Sequence, residues 1–298
     1  MFYQQLINGL MLGASYSLVA IGYTLIFGVL NLLYFAHGEI FMVGAFVGLY
    51  LVIYAGANIY FALLGAMIAC GAMGALAYFV AVRPVAKDRP LAPLISTIGL
   101  TIILQNLAIY IFGGQQLAFP EAIEQKLFHF GPITISSVQL FILGVALASM
   151  IALWLFIERT KLGRAMRATA ENPRVAGLMG VDSNKVIVAT FAIGAALAAV
   201  AGVMWGANYA SIKFSMGALP GLKAFCAAVL GGIGNIYGAM LGGILLGLIE
   251  SLGAGYIAYA TGGFLGSNYQ DIFAFIVLII VLTLRPSGIM GERVADRA

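Results

Sequence analysis

Charge is scarce in this sequence. Of 298 residues only 9% are charged, against roughly a quarter in soluble domains, so the chain lacks the groups to coat a globular surface in water. Histidine occurs twice and cysteine twice, and both Cys70 and Cys226 lie in apolar stretches, so no disulfide framework is expected. No lysine follows a glycine, which excludes the phosphate-cradling P-loop pattern GxxxxGK[ST]. Any ATP this chain depends on must therefore be hydrolysed by a separate subunit. The first Lys or Arg is Arg83, so the start lacks the basic region of a cleavable signal peptide, and the apolar run from Leu6 is expected to be a full span. Alternating strand patterns with turn punctuation are missing too, which argues against an outer-membrane barrel.

What fills the chain instead is apolar: 62% of residues are hydrophobic and the mean hydropathy is +1.04. A helix needs about 20 mainly apolar residues to cross the hydrocarbon core. Candidate spans are 6–30, 37–55, 60–82, 92–112, 138–157, 186–206, a short run at 222–233, then 237–254 and 269–284. Five of these (6–30, 60–82, 92–112, 138–157 and 186–206) contain no Asp, Glu, Lys, Arg or His. With no water to satisfy a free backbone, they must be helices. The expected fold is all-α: one polytopic transmembrane helical bundle, 1–298, of about eight or nine membrane segments, at least one of them broken or re-entrant.

Basic residues set the orientation. Twelve of the 15 Lys and Arg fall in three places: Arg83, Lys87 and Arg89; Arg159, Lys161, Arg164, Arg167, Arg174 and Lys185; and Arg285, Arg293 and Arg297. Positive-inside bias puts all three on the cytoplasmic side. Segments 113–137, 207–220 and 255–268 are then external. The even count between Lys185 and Arg285 requires 222–233 to count as a crossing. Either it pairs with a buried non-helical stretch, or it is a plain helix that borrows 216–221 and tolerates Lys223 at its end. On the N-terminal side, three runs before Arg83 place Met1 outside. If the break at Asn31–His37 lies within the membrane, the first two runs form one discontinuous element and Met1 is inside.

The loop Glu158–Lys185 carries six Lys/Arg against Glu158, Glu171 and Asp182. Helical spacing over 161–170, a turn at Asn172-Pro173, and a second short helix to Met179 suit docking to another protein. A solvated loop that only sets topology is the plainer reading. Glycines recur every four residues at Gly234, Gly238 and Gly242, and at Gly243–Gly247, Gly9–Gly13, Gly44–Gly48 and Gly202–Gly206. Such faces let helices approach closely in lipid.

Polar residues at membrane depth mark a pathway or a pair: Asn31, His37, Glu39, Gln105, Asn106, Asn235, Glu250 and Asp271. Of these, Asn31, His37, Glu39, Asn106, Asn235 and Glu250 are the candidate substrate-pathway residues. His37 and Glu39 lie two apart and do not share a helix face, and the second histidine, His129, is distant. No metal site and no nucleophile–base constellation is expected, so the chain reads as a transport subunit rather than an enzyme.

Gly22-Tyr23-Thr24-Leu25-Ile26-Phe27-Gly28 followed by Phe35-Ala36-His37-Gly38-Glu39 resembles the N-terminal signature of the Liv (H-type) branched-chain amino-acid ABC permeases. Thr160–Val181, the glycine run 224–247 and Leu284-Arg285-Pro286-Ser287-Gly288-Ile289 agree with it, so the match covers essentially the whole chain in order. One departure is Leu33-Tyr34, where the family commonly has a small polar residue.

The resemblance implies the permease of a bacterial inner-membrane importer for leucine, isoleucine or valine. A second related permease would complete a heterodimer, two cytoplasmic ATP-binding subunits would use the ATP, and a periplasmic binding protein would deliver substrate. This chain would bind no cofactor and no nucleic acid. The basic loop becomes the coupling segment, with Arg164, Arg167, Glu171, Arg174, Gly177 and Gly180 at the ATPase contact. Glu171, Gly177 and Gly180 fall where a degenerate coupling motif would lie. Three rival readings are a passive urea-like channel, an ion-coupled carrier, and the same ABC architecture moving urea, amides or other amino acids.

Overall fold

The computed structural model describes residues 2–85, 92–120, 123–130, 133–260, 270–285 and 287–291. Lys87, Arg89, Pro132, Arg293, Arg297 and the part of 255–268 beyond residue 260 lie outside the described residues. The helices are α1 (Phe2–Leu30), α2 (His37–Ile53), α3 (Ile59–Ala77, continued by a π-helical turn Tyr78–Val82) and α4 (Ala92–Phe112). Three short strands follow, β1 (Leu117–Ala118), β2 (Leu127–Phe130) and β3 (Ile133–Ser136). Next come α5 (Ser137–Arg159), α6 (Lys161–Glu171), α7 (Pro173–Leu178) and α8 (Ser183–Tyr209), then β4 (Ser211–Ile212), α9 (Ala218–Gly231), α10 (Ile236–Ala260) and α11 (Gln270–Leu284).

The polytopic helical bundle expected from composition is what forms. Among the described residues, six helices are long and apolar enough to cross a membrane, and α2, α9 and Ala274–Leu284 are shorter apolar helices. The purely helical expectation needs one amendment. β1 pairs with β4, and β2 with β3, in two antiparallel ribbons at one end of the bundle. Strands of two to four residues are too short to show a period-two pattern in sequence.

Helices that are apolar all round are sorted by burial rather than by amphipathic stripe. The apolar window of α1 is 83% buried and that of α4 only 17%, so α1 is the central post and α4 a peripheral helix. Close packing around α1 depends on the four-residue glycine spacing. A Cβ on Gly13 would sit 2.7 Å from the Cα of Ile244, and one on Gly9 would sit 2.8 Å from the Cα of Leu248, so α1 and α10 touch backbone to backbone.

Hydrogen bonds identify the two ends of the bundle. The first turn of α1 lies on the face that carries 113–137, where Gln4 Nε2 donates to the Thr134 carbonyl at 3.0 Å and Gln4 Oε1 accepts from the Thr134 amide. At the opposite end Val29 packs with Met166 and Val186, and Tyr78 OH donates to Asn184 Oδ1 at 2.8 Å. Arg83 and the stretch 159–185 therefore share that opposite face.

Two helices are interrupted. α1 stops at Asn31, which adopts a left-handed conformation (φ 51°), and the chain turns back inside the bundle so that α2 begins at His37 beside Gly22 and Gly194. Gly22 is eight residues before the end of α1, so α2 starts roughly 12 Å into the bundle. The second break separates α9 from α10. Run 222–233 forms most of α9, which takes in residues 218–221, and Lys223 lies buried in it rather than at its end. Gly232 (φ 109°) and Gly234 (φ 95°) make the turn in conformations that side chains oppose. The closing segment repairs the exposed helix end: Ile289 N–H donates to Leu230 O and Met290 N–H to Gly231 O, both at 2.9 Å. Asn235 Nδ2 adds a bond to Met290 O at 3.0 Å.

Gly13→Leu should force α1 and α10 apart at a cost of about 1–3 kcal/mol, as overpacking does. Thermal unfolding in detergent should show a lowered Tm for Gly13→Leu. Gly144→Leu, at a site on α5 where a Cβ meets nothing within 4 Å, should leave it unchanged.

Candidate functional site

The signature Phe35–Glu39 builds a site because each residue faces a different neighbour. Helix α2 turns by about 100° per residue, so His37, Gly38 and Glu39 point three ways. His37 is fully buried against Gly22, with its ring 4.8 Å from that of Tyr23. Gly38 lies against Gly217, just before α9, and Gly221 in its first turn, where a side chain on either partner would collide with backbone. Glu39 is 1% exposed and reaches toward α4, where its Oε1 accepts from Gln105 Nε2 at 2.8 Å. Its Oε2 lies against Gly217 and has no hydrogen-bond partner in the protein.

A cavity of about 280 Å³ opens between α2, α4 and α9 at this point. Its walls are Tyr23, Phe35, Ile98, Leu222 and Phe225, its polar groups Glu39 and Thr101, and its floor Gly38, Gly217, Ala218 and Gly221. Small-molecule sites have this character: mostly apolar, with a few convergent polar groups.

A second polar cluster lies at half height in the bundle. Lys223 Nζ is 2.7 Å from Glu250 Oε1 and 2.6 Å from Asp271 Oδ1, and Tyr16 OH donates to Glu250 Oε2 at 3.0 Å. These four side chains join α1, α9, α10 and α11. Charges at such depth are held only when paired, and Lys223 and Glu250 satisfy each other almost completely out of solvent, at 7% and 2% side-chain exposure.

The structure distributes the residues singled out in the sequence. Glu39 reaches the cavity, and His37 supports it from behind. Glu250 belongs to the ion cluster. Asn31 is exposed and closes α1 through its left-handed backbone. Asn106 bonds to the Ile102 carbonyl of its own helix at 2.8 Å and faces outward, while Asn235 holds the closing segment. Sequence reasoning passed over Tyr23, Phe35, Phe225 and Thr101 as wall residues, and Lys223 as a partner. The signal for Lys223 was present: a lone lysine and a lone glutamate, each inside an apolar run, require partners, and the glycine-rich break between them folds α9 back on α10.

The opposite face carries the basic loop. Thr160 caps α6 by accepting from the Gly163 amide, and Asn172 caps α7 by accepting from the Arg174 and Val175 amides. Helix α6 is fastened to the bundle by buried Met166 and by Arg167, whose Nη1 donates to Ile157 O at 2.8 Å and pairs with Glu158 at 3.2 Å. Arg164, Arg174, Glu171 and Gly177 are exposed, and Gly180 turns the chain at φ 84°. In α7 Ala176 is buried, whereas Val175, Leu178 and Met179 are exposed at 53%, 87% and 81%. A cavity of about 570 Å³ lies alongside, bounded by Glu158, Arg167, Glu171, Asn235 and Tyr237 among others.

An apolar helical bundle, interrupted beside a small cavity and bearing a basic helical projection at one end, defines a polytopic membrane protein of the transporter kind. The family described as the permease component of branched-chain amino acid transport systems matches residues 5–282, and the chain belongs to it. It is similar to the high-affinity branched-chain amino acid transport system permease protein BraD of Pseudomonas aeruginosa, 43% identical over 98% of this chain and 96% of that one. LivH of Escherichia coli, a permease protein of the same description, is 40% identical over 98% of this chain and 96% of its own length. A probable LivH of Methanocaldococcus jannaschii is 32% identical, covering 92% and 88%. Among solved structures, PsaBC from Streptococcus pneumoniae in complex with Fab shares the fold, with a TM-score of 0.51, 14% identity, and 96% and 93% of the two chains covered.

Lys223→Ala should strand two carboxylates at depth and destabilise the protein by about 3–5 kcal/mol, as removing one member of a buried ion pair does. The triple variant Lys223→Met, Glu250→Met, Asp271→Asn removes the charges together and should unfold at a higher temperature than Lys223→Ala in the same detergent.

Proposed function

We propose that this chain is the membrane-spanning permease subunit of an ABC importer for branched-chain amino acids in a bacterial inner membrane. Full-length similarity to BraD and LivH carries this reading: 43% and 40% identity over 98% of this chain spans both the cavity segments and the basic projection. The chain is not the motor: it has no P-loop lysine, and ATP is used by two separate cytoplasmic subunits. A second, related permease completes the membrane unit, and a periplasmic binding protein supplies the substrate.

Sidedness follows from the basic residues. The face with Arg83, 159–185 and Arg285 is cytoplasmic. The first turn of α1 shares the other face with 113–137, which puts the start of α1 outside. Segments 113–137 and 207–220 are tied together by the β1–β4 ribbon, and they form the platform for the binding protein.

The coupling route is a chain of contacts. Helix α7 offers Val175, Leu178 and Met179 to a groove on the ATPase, flanked by Arg164, Arg174, Glu171, Gly177 and Gly180. Closure of the ATPase dimer pushes on α7, and α6 passes the displacement through Met166 to Val29 of α1 and Val186 of α8, and through Arg167 to the end of α5. Alternating access then exposes the pathway to one side and then the other. Glu39 and the cavity beside α4 lie on that pathway. Asn106 faces outward from α4 at membrane depth, where a polar side chain suits contact with the second permease better than contact with lipid.

Reconstituted with its partners, the chain should support ATP-dependent leucine uptake, and leucine flux through this chain alone in liposomes would overturn the reading. A Cβ on Gly177 meets nothing within 4 Å. Gly177→Trp should therefore leave the yield and melting temperature of the chain unchanged while lowering uptake at least tenfold and disconnecting it from ATP hydrolysis. Unchanged coupling would return the loop to a topology-setting role.

A further inference from the structure

The Glu39 carboxylate is the one buried acidic group among the described residues that lacks a cationic partner. Glu250 and Asp271 share Lys223. Glu39 has only the amide of Gln105 on one oxygen, while the other, Oε2, is closed over by Gly217 with no hydrogen bond from the protein. A carboxylate at depth is costly when it is desolvated and unpaired. The contact that covers it is also weak. Where α2 meets α9, Gly38 packs on Gly217 and Gly221 through backbone atoms alone. The side chains that border it are Tyr23, Phe35 and Phe225, the last two with ring centroids 6.1 Å apart, and a small separation of the two helix starts would open Oε2 to the cavity.

Helix α9 starts at Ala218 behind Gly217, so the Glu39 carboxylate lies at the positive end of that helix. Beside the carboxylate, Phe35, Phe225, Ile98 and Leu222 form an apolar wall. The arrangement sets one acidic group beside aromatic and aliphatic surface.

We propose that this cavity is a transit site for a zwitterionic amino acid. Glu39 Oε2 receives the α-ammonium, and Phe35, Phe225 and Ile98 hold an apolar side chain. The proposal rests on the reading of this chain as an amino-acid permease and adds the residue that recognises the substrate within the membrane. Gln105 acts as a positioning residue that keeps the Glu39 carboxylate turned toward α9. Recognition at this point is brief by design, because the carboxylate returns to its cover beneath Gly217 once the helix starts close again.

The test uses the complete importer in proteoliposomes with its binding protein. Glu39→Gln keeps the size of the side chain and the contact with Gln105 but removes the charge. It should lower initial L-leucine uptake at least tenfold while yield, melting temperature and binding-protein-stimulated ATP hydrolysis stay within twofold of wild type. Glu39→Asp should recover part of the rate. In the wild-type complex, a hydrophobic carbodiimide should label Glu39, and L-leucine should slow that labelling, whereas 2-hydroxy-4-methylpentanoate, which lacks the ammonium, should not. Wild-type uptake by Glu39→Gln, equal protection by both compounds, or parallel loss of uptake and stability would overturn the transit site while leaving the importer reading intact. A wild-type complex that moves no leucine at all would overturn both.

Discussion

Hydrocarbon offers no hydrogen bonds, so every interruption of a helix inside this bundle must be repaired by the protein itself. Both breaks show how. At the end of α1, the Asn31 amide donates to Phe27 O at 2.6 Å, and two turns later the His37 and Glu39 amides bond to Tyr34 O and Ala36 O. At the end of α9, the last carbonyls are met from outside the helix by the amides of Ile289 and Met290. The closing Ser-Gly-Ile-Met stretch, which looks like a tail in the sequence, is therefore part of the core architecture. Because these repairs are local, the bundle tolerates helices that start part-way through it, and the cavity lies where two such starts, those of α2 and α9, meet.

The contacts between helices fall into two kinds. α1 and α10 touch along Gly9, Gly13, Gly243 and Gly247, and Tyr16 bonded to Glu250 pins them in the middle, with Lys223 and Asp271 drawing in α9 and α11. An ion cluster at that depth resists separation, since pulling it apart leaves charges in an apolar medium. The start of α2 meets α9 where Gly38 packs on Gly217 and Gly221, without an ion pair. That contact has close van der Waals fit and little that must be broken for it to open. In the proposed importer the rigid contact is a fixed frame and the glycine contact is a gate.

The fold was largely legible because apolar runs without charge have one solution in lipid. Runs 60–82, 92–112, 138–157 and 186–206 correspond to α3 with its π turn, α4, α5 and α8, with ends that shift by a few residues. The polar residues were less transparent. Asn31 and Asn235 look like pathway groups when counted along the chain, yet one closes a helix with its backbone and the other holds the closing segment. Lys223 looks like a helix-end residue until α9 is seen to extend to Ala218, which buries it one turn inside. Depth in a membrane protein is a property of the folded bundle, and sequence position reports it only for helices that cross without a break.

The sequence by itself determined that this chain is a helical membrane protein, because its 9% charge cannot solvate a globule and its long apolar runs must satisfy their own backbones. The motifs quoted from it also determined the family resemblance. Tertiary structure alone decided which charges are paired: Lys223, Glu250 and Asp271 come from three helices whose meeting depends on the Gly232–Asn235 turn and on glycine packing against α1. It alone left Glu39 unpaired beside a cavity, since that depends on α2 starting inside the bundle and on Gly217 covering one oxygen. Pairing at depth is a matter of distances of a few ångströms between distant segments, which no local pattern specifies.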